Sequence, residues 1–265
     1  MQNLNNATSE QPLPIRHRSD PFKMLGGKAS GLNRARDAGF DVPDFVAVSI
    51  GDVANMSPED LGPQVERFLS ARQISPDHKG FAVRSSMSIE DQLCGSAAGL
   101  GQTELNVIGR SELLAAFRRI AAGFQADVVQ SYVSQMHGQG SLTEGSIVLQ
   151  DMVTPTLSGI LFTCDPLSGD PSRIHIDAVC GPCRRAVDGH ATINAIVDRL
   201  TNATTVQGPA AKALTPHYIT KLVNLGDRHD ARIGLRHDIE FAFVGRSAPI
   251  VLQSRPVMTT PPRHI

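Results

Sequence analysis

The segments DIEFAFV (residues 238–244) and IVLQSR (residues 250–255) decide the fold of the C-terminal half of this chain. Polar and apolar side chains alternate in both segments, which is the pattern of a half-buried β-strand. Gly245-Arg246-Ser247 lies between them, and a glycine-containing connection of this kind indicates a hairpin. We therefore predict two antiparallel strands whose side chains divide between two faces.

One face of the predicted hairpin carries a distinctive set of polar side chains. Asp238 and Glu240 are two residues apart, as are Gln253 and Arg255, and the two-residue period of a strand places each pair on one face. Two carboxylates, an amide and a guanidinium suit a magnesium–triphosphate complex, because magnesium takes hard oxygen ligands and guanidinium binds phosphate oxygens. The alternative is a solvated sheet face with a surface ion pair, since alternating polar residues are common on half-exposed strands.

The rest of the chain reads as a mixture of helices and strands. A helix is predicted from Thr215-Pro216 to Gly226, because a cap followed by proline starts helices and glycine ends them. Ser111 is expected to cap another helix, whose large apolar side chains repeat at helical spacing up to Phe124. The remaining predicted elements are a helix between Gly27 and Gly39, a helix over 58–71, and strands at 45–50, 81–83, 147–152, 158–164, 173–179 and 194–199.

Composition excludes several classes of protein. The 265 residues carry 25 Lys and Arg against 26 Asp and Glu, so the basic excess that binding to a phosphate backbone requires is missing. No stretch approaches the length of apolar sequence that a membrane span needs, and the polar start does not resemble a secretory signal. We therefore expect a cytoplasmic protein with no nucleic acid and no membrane as partner, in which the four cysteines are reduced thiols.

Two segments before residue 104 have the features of anion-binding elements. Arg84 follows a short apolar strand and precedes a loop of small residues, 95–103, whose backbone N–H groups could approach an anion closely. Lys28 follows Gly26-Gly27 at the start of a predicted helix, where it could add a point charge to a positive helix terminus. A plain loop and a surface lysine are the alternatives.

Seven motifs, taken in order, resemble the nucleotide-binding domain of the phosphoenolpyruvate synthase and pyruvate phosphate dikinase family. The resemblance extends from about residue 24 to residue 258. The motifs are Gly26-Gly27-Lys28-Ala29, Val83-Arg84-Ser85-Ser86 with Glu90-Asp91, Ala98-Gly99 with Thr103, Val148-Leu149-Gln150-Asp151-Met152, Ser158-Gly159-Ile160-Leu161-Phe162-Thr163, Asp238-Ile239-Glu240, and Leu252-Gln253-Ser254-Arg255-Pro256.

The resemblance implies an α/β (α+β) ATP-grasp fold of two lobes that close on ATP. We expect a flexible leader over 1–20, an N-terminal lobe over 21–140 and a C-terminal lobe over 141–260 that carries the magnesium–ATP hairpin.

The resemblance also assigns roles to individual residues. It implies that Lys28 and Arg84 contact the phosphates of ATP, that the loop with Gly99 and Thr103 folds over them, and that the strand from Gln150 to Met152 presents backbone groups to adenine. Asp238 and Glu240 are the implied magnesium ligands, and Gln253 and Arg255 lie at the phosphates being transferred. Arg84, Glu240 and Arg255 are thus the candidate catalytic residues of an ATP-dependent phosphotransferase.

The sequence departs from the family pattern in two places. The resemblance covers the nucleotide-binding domain and not the family's phosphohistidine domain or its pyruvate- or phosphoenolpyruvate-binding barrel, so we expect the acceptor to be a histidine on a partner protein or a small molecule. Gly181-Pro182-Cys183-Arg184 stands where relatives carry Gly-Leu-Gly-Glu, and arginine in place of a carboxylate reverses the local charge. A nucleotide-binding or regulatory subunit with impaired catalysis is therefore the alternative function.

The same substitution creates the string Cys180-Gly181-Pro182-Cys183, which is the dithiol pattern of thioredoxins. A thiol of lowered pKa would be expected there if a helix began at the second cysteine. Two neighbouring thiols in a loop, with no redox or metal role, are the alternative interpretation.

Overall fold

Two antiparallel sheets organise the chain in the computed structural model. The structure describes residues 25–54, 62–71, 79–87, 102–124, 145–233 and 236–257. The first sheet has four strands in the order β1-β4-β2-β3. These strands are β1 (Phe45–Ser49), β2 (Phe81–Met87), β3 (Thr103–Val107) and β4 (Gly145–Asp151).

Three helices accompany the first sheet: α2 (Ile50–Ala54), α3 (Gly62–Ser70) and α4 (Arg110–Phe124). The predicted apolar stripe of α4 is confirmed, since all four of its large side chains are buried in one cluster with residues of β2 and β4. The predicted cap at Ser111 is wrong. The carbonyl of Gly109 accepts the hydrogen bond from the amide of Leu113, so the helix begins before the serine.

The second sheet has six strands in the order β10-β9-β5-β6-β7-β8. The predicted hairpin is confirmed, with a connection that extends over residues 244–249 and is wider than the three residues expected. Strand β8 had no predicted counterpart. The strands are β5 (Leu157–Phe162), β6 (Arg173–Cys180), β7 (Ile193–Asp198), β8 (Thr204–Gln207), β9 (His237–Phe243) and β10 (Ile250–Pro256).

One face of the second sheet is covered by a long helix, Pro216–Ile233, here called α6. It is numbered after α5, a single turn over Arg184–Val187. The predicted end of the long helix at Gly226 is wrong. A Cβ atom at Gly226 would lie in ordinary contact with Leu161, at 3.5 Å, so this position touches the sheet and the helix continues for two more turns.

Helix α1 (Gly27–Asp37) joins the two sheets. The amide of Ala29 donates to Oγ of Ser86 on β2, at 3.1 Å. Further along the same helix, a Cβ atom at Gly31 would lie 2.1 Å from the carbonyl oxygen of Ser254 on β10, so only glycine permits this close approach. The helix therefore holds an edge strand of the second sheet close to the first.

Strand β4 lies in the first sheet, although residues 145–151 were expected in the C-terminal lobe. It pairs with both β1 and β2, so the two sheets divide between Asp151 and Leu157 instead of near residue 141. A strand that is buried along nearly its whole length fits the centre of either sheet, and its sequence carries no signal that selects one of them. The proposed leader, 1–20, lies outside the described residues. Within the described part of the chain, no helix has the length and apolar character to cross a membrane.

Candidate active site

Arg84 connects the two sheets through its guanidinium group. Strand β2 continues to Met87, so Arg84 lies in the middle of the strand and not at its end, as the prediction had it. Its Nη1 donates to Oε1 of Gln150, at 3.4 Å, and to the carbonyl oxygen of Leu252, at 3.3 Å. Its Nη2 donates to Oε2 of Glu240, at 3.5 Å, and to Oε1 of Gln253. One side chain of the first sheet therefore binds three residues of the hairpin in the second.

This cluster excludes most of the surrounding water. The side chain of Arg84 is 11% exposed and that of Glu240 is 14% exposed. Gln150 and Gln253 are buried. Nε of Arg84 is also buried and has no hydrogen-bond partner among the described residues. A guanidinium in such a position holds unused capacity to bind an anion, because planar N–H groups match phosphate oxygens.

The hairpin register brings the four predicted polar residues together. Glu240 pairs with Gln253 and Asp238 pairs with Arg255, and directly paired residues share one face of an antiparallel ladder. Nε of Arg255 donates to Oδ2 of Asp238 at 2.7 Å. Asp238 is only 7% exposed, so the alternative of a solvated sheet face is wrong.

The register shift between Val251 and Gln253 adds a residue that the sequence analysis missed. It leaves Leu252 as a bulge, and the carbonyl oxygen of this residue accepts from both Arg84 and Gln150. A bulge on one strand turns a backbone group away from the ladder. Nothing in the local sequence indicates that this carbonyl would be used in this way.

Cys183 lies beside the cluster, at the start of α5. Its Sγ donates to the carbonyl oxygen of Gly159 at 3.3 Å. Burial, together with the negative charge of Glu240, raises the pKa of this thiol to about 12, and the positive charge of Arg84 opposes the shift. Cys183 is therefore protonated near neutral pH and is not the low-pKa thiol that the dithiol interpretation requires. Cys180 is a free, exposed thiol.

Arg184, which replaces the expected carboxylate, lies on the surface of α5. Its side chain is 67% exposed and pairs with Asp188 one turn later, at 3.6 Å. The charge reversal inferred from sequence is therefore balanced locally by an acidic neighbour.

The other predicted site residues lie on elements that border the cluster. Thr103 is the register partner of Arg84 on the neighbouring strand β3, and it is exposed. Lys28 is the second residue of α1, next to the amide that binds β2. Met152 follows β4 directly, and its amide donates to the carbonyl oxygen of Gly80 at 3.1 Å. Gly99 lies outside the described residues.

The fold and the site define a class of protein. It is an α+β protein in which a buried guanidinium of one sheet meets an acidic hairpin of the other, and this combination of side chains is suited to binding phosphate groups. The chain belongs to the family described as pyruvate phosphate dikinase, AMP/ATP-binding domain, whose model matches residues 52–203, more than half of the sequence. The ATP-grasp type of fold that the resemblance implied is therefore confirmed.

Curated relatives agree with this assignment. The chain is 31% identical over 226 residues to a rifampicin phosphotransferase from Streptomyces sviceus. This alignment covers 76% of this chain and 26% of the relative. It is 31% identical over 203 residues to a probable phosphoenolpyruvate synthase from Archaeoglobus fulgidus, which covers 67% of this chain and 27% of the relative. The chain thus spans about a quarter of the length of the relatives it matches.

Among solved structures, the fold is similar to an L-amino acid ligase from Bacillus licheniformis. The TM-score is 0.46 at 14% identity, over 89% of this chain and 44% of the ligase chain.

Proposed function

We propose that this protein binds magnesium–ATP between its two sheets and transfers a phosphoryl group from it. The observation that carries the proposal is the buried guanidinium of Arg84, which links the first sheet to the acidic hairpin. Family membership supports ATP as the ligand, because the matching family is an AMP/ATP-binding domain.

The residues present fit the magnesium ion that this chemistry uses. Asp238 and Glu240 lie two residues apart on one face of β9, and both are largely buried next to arginines. Carboxylate oxygens are the ligands that magnesium prefers, so these two side chains would hold the ion. When bound, magnesium neutralises negative charge on the phosphates.

Arg84 would bind the phosphates by exchanging partners. Its four present contacts are to protein oxygens, three of which are neutral amide or peptide groups. A phosphate oxygen is a stronger acceptor for guanidinium than a neutral amide, so ATP would displace Gln150 and Gln253 from it. The amides that are released can then contact the nucleotide.

Arg255 would act at the phosphoryl group that is transferred. Its side chain is 48% exposed, in contrast to Arg84, and its Nε is oriented by Asp238. Phosphoryl transfer depends mainly on positioning and on stabilising charge that develops on oxygen. An oriented guanidinium that an incoming acceptor can reach meets both requirements.

The acceptor is a histidine on a partner protein or a small molecule. The first is supported by the family resemblance to phosphoenolpyruvate synthase, and the second by a relative named as a rifampicin phosphotransferase. Both relatives are several times longer than the matched region.

Binding and turnover of ATP test this function separately. Titration calorimetry with magnesium–ATP measures binding, and release of labelled products from ATP carrying 32P at the β position separates ADP from AMP. Glu240→Gln and Arg255→Gln are expected to abolish ATP consumption in the presence of an acceptor, whereas Arg119→Gln, at a half-exposed surface ion pair, should behave as wild type.

Unchanged ATP consumption in both site variants would refute the assignment. Binding of ATP without consumption, whatever acceptor is offered, would instead favour the alternative of a nucleotide-binding or regulatory subunit.

A further inference from the structure

Two buried histidines lie on the face of the second sheet that is turned away from the acidic hairpin face. His229 is on α6 and is 0% exposed, and His237 begins β9 and is 1% exposed. Their ring centroids are 4.4 Å apart. His237 belongs to the same strand face as Ile239, which is a core residue, whereas Asp238 and Glu240 point to the opposite face. The pair is therefore separate from the proposed ATP site.

The imidazole of His229 has one nitrogen without a partner. Its Nε2 is 2.8 Å from Oγ of Ser254, whereas its Nδ1 is buried and has no hydrogen-bond partner among the described residues. Burial, together with the charges of His237 and Arg34, lowers the pKa of His229 to about 3. The ring is therefore neutral near pH 7, with a nitrogen available inside the protein, and neutral imidazole is the form that binds metals.

A carboxylate stands next to this pair in a defined orientation. Oδ1 of Asp230 accepts from Oγ1 of Thr163 at 2.7 Å, and Oδ2 accepts from Nη2 of Arg199 at 3.0 Å. Arg199 also pairs with Asp227, at 3.0 Å, so two carboxylates share one guanidinium. The carboxylate of Asp230 is therefore held in place by two donors beside the histidine pair.

We propose that His229, Asp230 and His237 form a binding site for a zinc-class divalent cation. One ligand atom from each of the three residues lies within 4.8 Å of the others. Two imidazoles and one carboxylate are a common protein ligand set for zinc, in contrast to the oxygen ligands that magnesium prefers.

Binding requires a small closure of the site. Ligand atoms around tetrahedral zinc lie roughly 3.4 Å apart at bond lengths of about 2.0–2.1 Å, so these side chains must approach each other by up to about 1.4 Å. The carboxylate of Asp230 is 27% exposed, and this side provides the route for the ion and for a water molecule as fourth ligand. A bound ion would tie α6 to the start of β9, the strand that carries Asp238 and Glu240.

The test uses the full chain without a histidine tag, first treated with EDTA and then dialysed against Zn²⁺ or Co²⁺. We expect one Zn²⁺ per chain by elemental analysis, a visible absorption band of tetrahedral Co²⁺, and a higher thermal unfolding midpoint with Zn²⁺ than with Mg²⁺. Asp230→Asn and His237→Gln should each weaken Zn²⁺ binding at least tenfold. His175→Gln, at a partly exposed histidine that contacts Asp165 at 3.1 Å, is the matched control and should retain full binding.

Absence of Zn²⁺ and Co²⁺ binding to the wild-type chain would overturn the proposal, and this result does not depend on any variant folding. Equal loss in His175→Gln, or loss in Glu240→Gln with retention in Asp230→Asn, would also overturn it, because the ion would then bind elsewhere. None of these measurements contains ATP, so their outcome is independent of the proposed function.

Discussion

Replacing Arg84 by lysine tests whether the forked guanidinium organises the site. Lysine keeps the positive charge and offers a single nitrogen, so it can replace the contacts of Nη2 to Glu240 and Gln253 but not those of Nη1 to Gln150 and Leu252. The two lost contacts are 3.4 and 3.3 Å long, and each hydrogen bond contributes about 1 kcal/mol net.

The expected loss of folding free energy is less than the full sum of those two contacts. The carbonyl of Leu252 keeps Nε2 of Gln150 as a donor, at 3.3 Å. We therefore expect Arg84→Lys to lower the free energy of unfolding by about 1.5 kcal/mol. Loss of bidentate phosphate binding should weaken ATP binding roughly tenfold, which corresponds to about 1.4 kcal/mol.

Urea denaturation and calorimetric titration with magnesium–ATP measure the two quantities. Arg119→Lys, on the surface next to Glu104 and Glu112, is the matched control, for which we expect no measurable change in either. A second arm, Arg84→Leu, leaves the largely buried carboxylate of Glu240 without its arginine and should destabilise the fold by about 3 kcal/mol or more. The reasoning fails if Arg84→Lys matches the control in both assays.

Three further predictions follow from packing, burial and exposure. Gly31→Ala should destabilise the protein by at least about 2 kcal/mol in urea denaturation, because the added methyl group would lie 2.1 Å from a carbonyl oxygen of β10, although alanine normally favours helices. In the control Gly51→Ala, the nearest atom to the added methyl group is at 3.9 Å, so we expect no destabilisation. Equal effects of the two substitutions would contradict the close contact at Gly31. Iodoacetamide at pH 8 should label the exposed Cys180 long before Cys183, whose pKa is raised to about 12, and peptide mass spectrometry would expose the opposite order. Arg255→Gln should leave ATP affinity within about threefold of wild type and lower the rate of phosphoryl transfer at least about 100-fold; a variant that turns over normally would remove Arg255 from the reaction.

The hairpin was predictable because its pattern is local. Asp238 and Glu240 alternate with Ile239 and Phe241, and the pleat of any strand sends such alternating side chains to opposite faces. The register was not predictable in the same way, because the bulge at Leu252 decides that Glu240 pairs with Gln253. The apolar stripe of α4 was predictable for the same reason, because its large side chains repeat with the period of a helix.

Other features depend on residues far apart in the chain. Glycine at position 226 locally favours the end of a helix. The helix nevertheless continues, because the backbone at Gly226 packs against the side chain of Leu161 on β5. The sequence of strand β4 is compatible with either sheet, and its pairing with β1 and β2 places it in the first sheet. In each case a tertiary contact outweighs a local preference of about 1 kcal/mol or less.

Sequence alone determined which side chains share a strand face, which family the chain resembles, and which residues are the candidates for phosphate chemistry. These are properties of residue type and periodicity in short stretches of chain. Only the tertiary structure decided what Arg84 binds, since the carbonyl of Leu252 is 168 residues away and is exposed to it by a bulge. The same holds for His229 and His237, which lie just outside the predicted helix and the predicted strand. Their proximity arises from the packing of that helix on that sheet, which local sequence does not encode.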